Sequence, residues 1–136
     1  MNGASRIQVG LDLVRISHLT ASVDRFGGRF LDRVFTEGEL RYCMAAPGPS
    51  ASRLAARFAA KEATRKVLRV DDEGVGWRSI EVVRASNGAC DLLLHREARE
   101  LAERAGFVAF SLSMTHEAEY AGAVVVGERR RGEDAR

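Results

Sequence analysis

At 136 residues the chain is long enough for one domain with a core, and 46% apolar and 29% charged residues is an ordinary composition for a globular protein. A net charge of +2 gives no bulk electrostatic case for a nucleic-acid partner, although cations cluster at 25–33, 53–69 and 129–131. Cys43 and Cys90 are far apart with no CxxC spacing and read as free thiols, and no signal core or membrane-length apolar run is present, so a cytoplasmic protein without a membrane partner is expected.

Arg6 to Val14 alternates as a strand, with Ile7, Val9 and Leu11 on one side and Gln8, Gly10 and Asp12 on the other. Asp12 is a carboxylate in apolar company, which requires solvent, a partner or a cation; the plainer reading is a cap on the next turn. Ser17 to Phe26 and Arg29 to Phe35 read as short helices separated by Gly27-Gly28. Thr36 with Glu39 forms a capping-box pattern that opens a third helix, and Ala46 to Ser50, which holds both prolines, is a loop.

Arg53 to Val70 is then predicted as the central helix, capped by Ser50 or Ser52. Ala56, Ala59, Ala60, Ala63 and Val67 share one face, a seam suited to close packing on a sheet. Glu62 is the single carboxylate among Arg53, Arg57, Lys61, Arg65, Lys66 and Arg69. Beyond an acidic turn, Trp77 to Ala85 and Ala89 to His95 read as a hairpin around Ser86-Asn87-Gly88. Arg96 to Ala105 is a helix ended by Gly106. Val108 to Thr115 and Glu119 to Val126 read as two further strands, with His116 at the end of the first. The expected fold is α+β: helices on one face of a mostly antiparallel sheet, residues 1–126 as the domain and 127–136 as a flexible charged tail.

Asp12 and Glu62 are the two carboxylates set in unusual company. A hard dication such as magnesium takes one or two carboxylates and completes its shell with waters and phosphates. The cations around Glu62 could hold other phosphates of the same ligand, and His116 could move a proton or donate to a phosphate. The pattern points to phosphoryl chemistry, although the sequence by itself does not bring Asp12 to Glu62.

VGLD (Val9 to Asp12), RVFTEGELRYC (Arg33 to Cys43), RFAAKEATRK (Arg57 to Lys66), WRSIEV (Trp77 to Val82) and SLSMTHEAEYAGAVVV (Ser111 to Val126) together resemble the holo-acyl-carrier-protein synthase group of the 4'-phosphopantetheinyl transferase superfamily. The Phe-x-x-Lys-Glu-Ala pattern is the specific part, and the pieces run in order over nearly the whole chain.

The resemblance implies that fold, and an enzyme moving the phosphopantetheine arm of coenzyme A onto a serine of an apo acyl carrier protein of fatty-acid or polyketide synthesis, with release of adenosine 3',5'-bisphosphate. It assigns the magnesium ligands to Asp12 and Glu62, and coenzyme A contacts to Arg57, Lys61, Lys66 and His116. Glu62, Lys61 and His116 would be the catalytic residues, with Glu62 or a water it orients as base. An acidic carrier would dock on Arg25, Arg29 and Arg33. The family forms homotrimers with active sites between neighbouring subunits. Four positions depart from the family pattern: Arg15 replaces an acidic residue, His18 a basic one, Arg69 a glycine and Ser111 a histidine. None of these removes a proposed metal ligand. The competing readings are an inactive relative that only binds carriers or assembles with synthases, and a nucleic-acid binder; the retained Asp12, Glu62 and Lys61 argue against the first, the low net charge against the second.

Overall fold

The computed structural model describes residues 5–46, 50–70 and 74–131. Strand β1 (Ile7–Arg15) leads into three short helices, α1 (Ile16–Phe26), α2 (Gly28–Val34) and α3 (Glu37–Ala45), and then the long α4 (Ser50–Leu68). A 3-10 turn at Trp77–Ser79 precedes the hairpin β2 (Ile80–Arg84) and β3 (Cys90–Leu94). Helix α5 (Arg96–Arg104) connects to a second hairpin, β4 (Phe107–His116) and β5 (Tyr120–Arg129). Strands β1, β5 and β4 form an antiparallel sheet in that order, and β2–β3 form a separate two-stranded one. The expected α+β class is borne out, with two sheets in place of one.

The alanine seam of α4 explains how a helix and a sheet come this close. Ala56, Ala59, Ala60, Ala63 and Val67 are all at most 3% exposed. On the sheet side the matching positions are glycines: a Cβ on Gly10 would sit 2.1 Å from the Ala63 carbonyl oxygen, and one on Gly127 would sit 2.8 Å from Val67 Cγ1. Backbone lies almost on backbone here, and any larger residue at position 10 would force the helix off the sheet.

The period of two in β1 has an inverted outcome. Gly10, Asp12 and Val14 face α4, while Ile7, Val9, Leu11 and Leu13 point away from it and are 43%, 61%, 66% and 67% exposed. The more apolar face of the strand is therefore the open one, because only the small and short residues on the other side fit beneath the helix.

Several boundaries differ from expectation. Helix α4 already begins at Ser50, so Ser50 and Ser52 lie within it and neither is its cap, and residues 47–49 of the expected loop lie outside the described residues. Strand β5 continues to Arg129, with Glu128 opposite Ile7 and Arg129 N–H donating to the Arg6 carbonyl, so 127–129 belong to the sheet; 132–136 lie outside the described residues. Trp77–Ser79 is a 3-10 turn closed by the Ser79 hydroxyl on the Gly76 carbonyl (2.6 Å), and β2 begins only at Ile80. Helix α4 ends at Leu68 in a Schellman arrangement: Val70 N–H donates to Arg65 O and Arg69 N–H to Lys66 O. Arg69 takes the left-handed conformation there, with φ +58°, at a position that favours glycine.

Candidate active site

The strand period brings Asp12 beneath α4, and the helix period brings Glu62 and Lys66, one turn apart, to the same edge of β1. Asp12 keeps 18% of its side chain exposed and Glu62 is half-buried. Burial pushes the Glu62 carboxyl above the ordinary carboxylate range, and the nearby Asp12 charge pushes it further; Arg65 and Lys66 pull the other way. A half-buried carboxylate raised by a neighbouring carboxylate calls for a cation between them. In the ligand-free chain the Lys66 ammonium partly answers that need: it lies 3.3 Å from Asp12 Oδ1 and donates to the Leu11 carbonyl at 2.7 Å. Among the described residues no cluster of three or more His, Cys, Asp or Glu is present that could hold a metal, so an ion at this pair would take its remaining ligands from water and substrate oxygens. That is the donor set magnesium accepts.

Arg57 and His116 meet on the other flank of α4. They line a cleft of about 440 Å³ together with Tyr42, Arg53, Arg84 and Cys90. The guanidinium carbons of Arg57 and Arg84 lie 4.8 and 4.9 Å from the centre of the Tyr42 ring. Arg57 is 5% exposed and fixed by the Arg53 carbonyl at 3.3 Å. Arg57 and Arg84 against the Tyr42 ring, with His116 in the same cleft, form a cationic site suited to a phosphate, while Arg53 donates to the Cys43 and Ala46 carbonyls. Sequence reasoning did not single out Tyr42, Arg53 or Arg84 for this cleft. Arg53 stood in the run of helical cations; Arg84 at the end of β2 gave no local signal, since only the packing of β2 against α3 and α4 brings it to Tyr42 and Arg57.

Lys61 corrects the expectation placed on it. Its side chain is 0% exposed and lies 2.9 Å from Glu39 Oε1, and its ammonium donates to Trp77 O at 3.1 Å and to Ile80 O. Burial pushes the ammonium down, while the Glu39 charge supports it. With its donors directed to these three acceptors and no open face, Lys61 does not reach a coenzyme A phosphate or a leaving group in this arrangement. Glu39, read in the sequence as a helix cap, is its counter-ion.

Arg25, Arg29 and Arg33 are exposed on α1 and α2. Arg29 and Arg33 line a shallow cleft of about 530 Å³ with Phe26 and Phe30, and Arg25 lies 5.2 Å from the Phe26 ring centre. Of the departures, Arg15 stacks on Tyr120 at 4.8 Å, His18 is exposed, and Ser111 faces outward on β4 opposite Val126. Among the described residues no helix is long and apolar enough to cross a membrane.

The chain and its fold have close counterparts among known proteins. The family model of the 4'-phosphopantetheinyl transferase superfamily matches residues 8–125, and the chain belongs to that superfamily. Holo-[acyl-carrier-protein] synthase of Gloeobacter violaceus is 45% identical over 118 residues, covering 87% of this chain and 89% of that protein. The protein of the same name from Moorella thermoacetica is 42% identical over 122 residues, covering 90% and 94%. In three dimensions, the Chronobacterium ammoniagenes ACPS-CoA complex matches with a TM-score of 0.81 at 31% identity over 92% of this chain and 98% of that one. Helicobacter pylori holo-[acyl-carrier-protein] synthase in complex with coenzyme A matches with a TM-score of 0.77 at 29% identity, covering 88% and 99%. Within the superfamily its place is with the holo-[acyl-carrier-protein] synthases, as a phosphopantetheinyl transferase.

Proposed function

We propose that the chain performs the reaction of that group, transfer of 4'-phosphopantetheine from coenzyme A to a serine of an apo acyl carrier protein with release of adenosine 3',5'-bisphosphate, at a site to which two protomers contribute. The observation that carries the shared site is the division of functional residues along α4. Asp12, Glu62 and Lys66 gather at the β1 edge, Arg57 and His116 at the β4 edge, with β5 between them. Two strand spacings, about 10 Å in all, separate those edges, and the side chains flank opposite sides of the helix. A neighbouring copy supplies the missing half of each site if the open Ile7, Val9, Leu11 and Leu13 face packs against it, and a head-to-tail interface of that kind closes into a ring, here a trimer.

In this arrangement Arg57 and His116 hold a coenzyme A phosphate, with Arg53 and Arg84 beside them. Lys66 leaves Asp12 for a phosphate oxygen. Asp12 and Glu62 fit magnesium, which when bound neutralises the charge that builds on the diphosphate as the phosphorus–oxygen bond breaks. Glu62, or a water it orients, accepts the serine proton. Arg25, Arg29 and Arg33, with Phe26 and Phe30 between them, form the dock for an acidic carrier. The unpaired Cys43 and Cys90 support a cytoplasmic setting.

The decisive assay incubates the protein with magnesium, coenzyme A and apo carriers and weighs the intact carrier; a gain of one phosphopantetheine is expected, and no gain across a panel would favour a carrier-binding scaffold. Co-expression of Asp12→Asn with Arg57→Ala, each expected to be strongly impaired alone, tests the shared site: mixed oligomers regain activity, and mixed oligomers no more active than either variant overturn it. Arg29→Glu raises the carrier KM far more than the coenzyme A KM; equal effects would rule out its docking role.

A further inference from the structure

The alanine seam that lets α4 lie close to the sheet has a mechanical consequence. Ala56, Ala59, Ala60 and Ala63 seat the helix over the sheet with small side chains only, so its rotation about its own axis is set largely by the larger groups on its flanks. Rolling an α-helix by about 20° moves a side-chain tip at a radius of ~5–6 Å by about 2 Å. Glu62 sits where such a roll carries it toward or away from Asp12.

The opposite flank is keyed firmly. Glu39 uses both carboxylate oxygens: Oε1 accepts from Thr36 N at 2.9 Å and faces Lys61 Nζ at 2.9 Å, and Oε2 accepts from Val82 N at 2.7 Å. The Thr36 hydroxyl accepts from Glu39 N at 3.1 Å, which closes the cap of α3 around the same residue. Lys61 reaches past Glu39 to the carbonyls of Trp77 and Ile80. Ile80 O and Val82 N lie on the edge of β2 turned away from β3, where a further strand would otherwise bind them. Glu39 and Lys61 therefore stand in for a missing strand, and through it tie α3, α4 and β2 together. Burial of both side chains at 0% exposure keeps water from competing for these bonds.

We propose that Glu39 and Lys61 are positioning residues: their buried pair fixes the rotation of α4, and so holds Glu62, the next residue along the helix, opposite Asp12. Residues 61 and 62 project about 100° apart around the helix, so an anchored Lys61 leaves Glu62 one orientation. Neither residue touches substrate. The inference rests on Asp12 and Glu62 as the metal-binding pair, and the experiment separates the two claims.

The probe is manganese(II), titrated into the ligand-free protein and followed by the loss of the free-ion electron paramagnetic resonance signal, beside kcat and both KM values. Three variants are compared: Glu39→Gln, the apolar pair Glu39→Leu with Lys61→Met, and Asp12→Asn. All are measured below the onset of unfolding, with circular dichroism establishing the folded fraction. The apolar pair is included because well-packed apolar replacements of a buried ion pair fold readily, so loss of fold in Glu39→Gln does not end the test. Manganese affinity is expected to fall about tenfold and kcat about 10- to 100-fold in folded Glu39→Gln and in the apolar pair, with the coenzyme A KM changed less than kcat. Manganese affinity and kcat within about twofold of the parent in either folded variant overturn the positioning role. Normal manganese binding by Asp12→Asn overturns instead the metal-site assignment. Loss in Asp12→Asn with normal binding in both Glu39 variants leaves that assignment standing and removes only the inference made here.

Discussion

Helix α4 carries two lysine–carboxylate pairs little more than one turn apart. Lys61 faces Glu39 at 2.9 Å with both side chains 0% exposed; Lys66 faces Asp12 at 3.3 Å with 54% and 18% of the side chains exposed. The chemistry of the partners is nearly the same and the environments are opposite. In the closed pair each charge has left water and is held by fixed backbone groups, so separating the partners would strand a buried charge. In the open pair water and salt screen the attraction, and the ammonium can be exchanged for another cation at little cost. Under the proposed function, a site that admits a metal and a polyanion needs the second kind of pair, with the first kind behind it.

That contrast can be broken from either end. Lys61→Met strands Glu39 in the core and is expected to destabilise the fold by about 3–5 kcal/mol, read from the urea midpoint. If it costs under about 1 kcal/mol, the closed pair is not a structural tie. Asp12→Asn leaves the fold intact and lowers kcat about 10²- to 10³-fold, the several kcal/mol that a charge-stabilising metal site supplies. Near-normal turnover would remove Asp12 from the site.

The pH dependence sharpens the open side. Because Glu62 binds its proton more tightly folded than unfolded, its contribution to stability is present below the ordinary carboxylate pKa and is lost as pH rises through the raised value. Metal-free protein should lose stability across that window. Glu62→Gln, inactive in turnover, should flatten the slope and melt higher at neutral pH; an unchanged slope would show that Glu62 is not held against Asp12.

Smaller effects follow on the exposed groups. Lys66→Met should change stability by only about 0–1 kcal/mol while raising the coenzyme A KM, the reverse of the Lys61 pattern. At the end of the same helix, Arg69→Gly removes a side chain held at φ +58° and should stabilise by up to about 1 kcal/mol, reduced by loss of the 3.2 Å bond from Arg69 to Gln8. A clear fall in melting temperature would mean that the bond to Gln8 outweighs the backbone strain.

Much of this was legible in the residues alone. The capping pattern of Thr36 and Glu39, the strand alternations, the hairpin at Asn87-Gly88 and the alanine seam are local signals, and each led to an element observed in the structure. The seam and the isolated carboxylates also marked Asp12 and Glu62, because a charge in apolar company is costly wherever the chain goes. The role of Lys61 was misread for the same reason that made Lys66 readable: spacing shows which residues lie along a helix, but not what covers each face. The Tyr42, Arg57 and Arg84 cleft was hidden similarly, since its parts come from α3, α4 and β2.

The sequence by itself determined the family, the order of the elements and the two carboxylates, since periodicity, capping and charge placement act over a few residues. The tertiary structure decided which lysine is closed and which is open, and which face of β1 is left bare. Those outcomes depend on packing between residues far apart in the chain: Glu39, Trp77 and Ile80 around Lys61, and Gly10 beneath Ala63. Burial converts similar side chains into different chemistry, and burial is a property of the assembled fold.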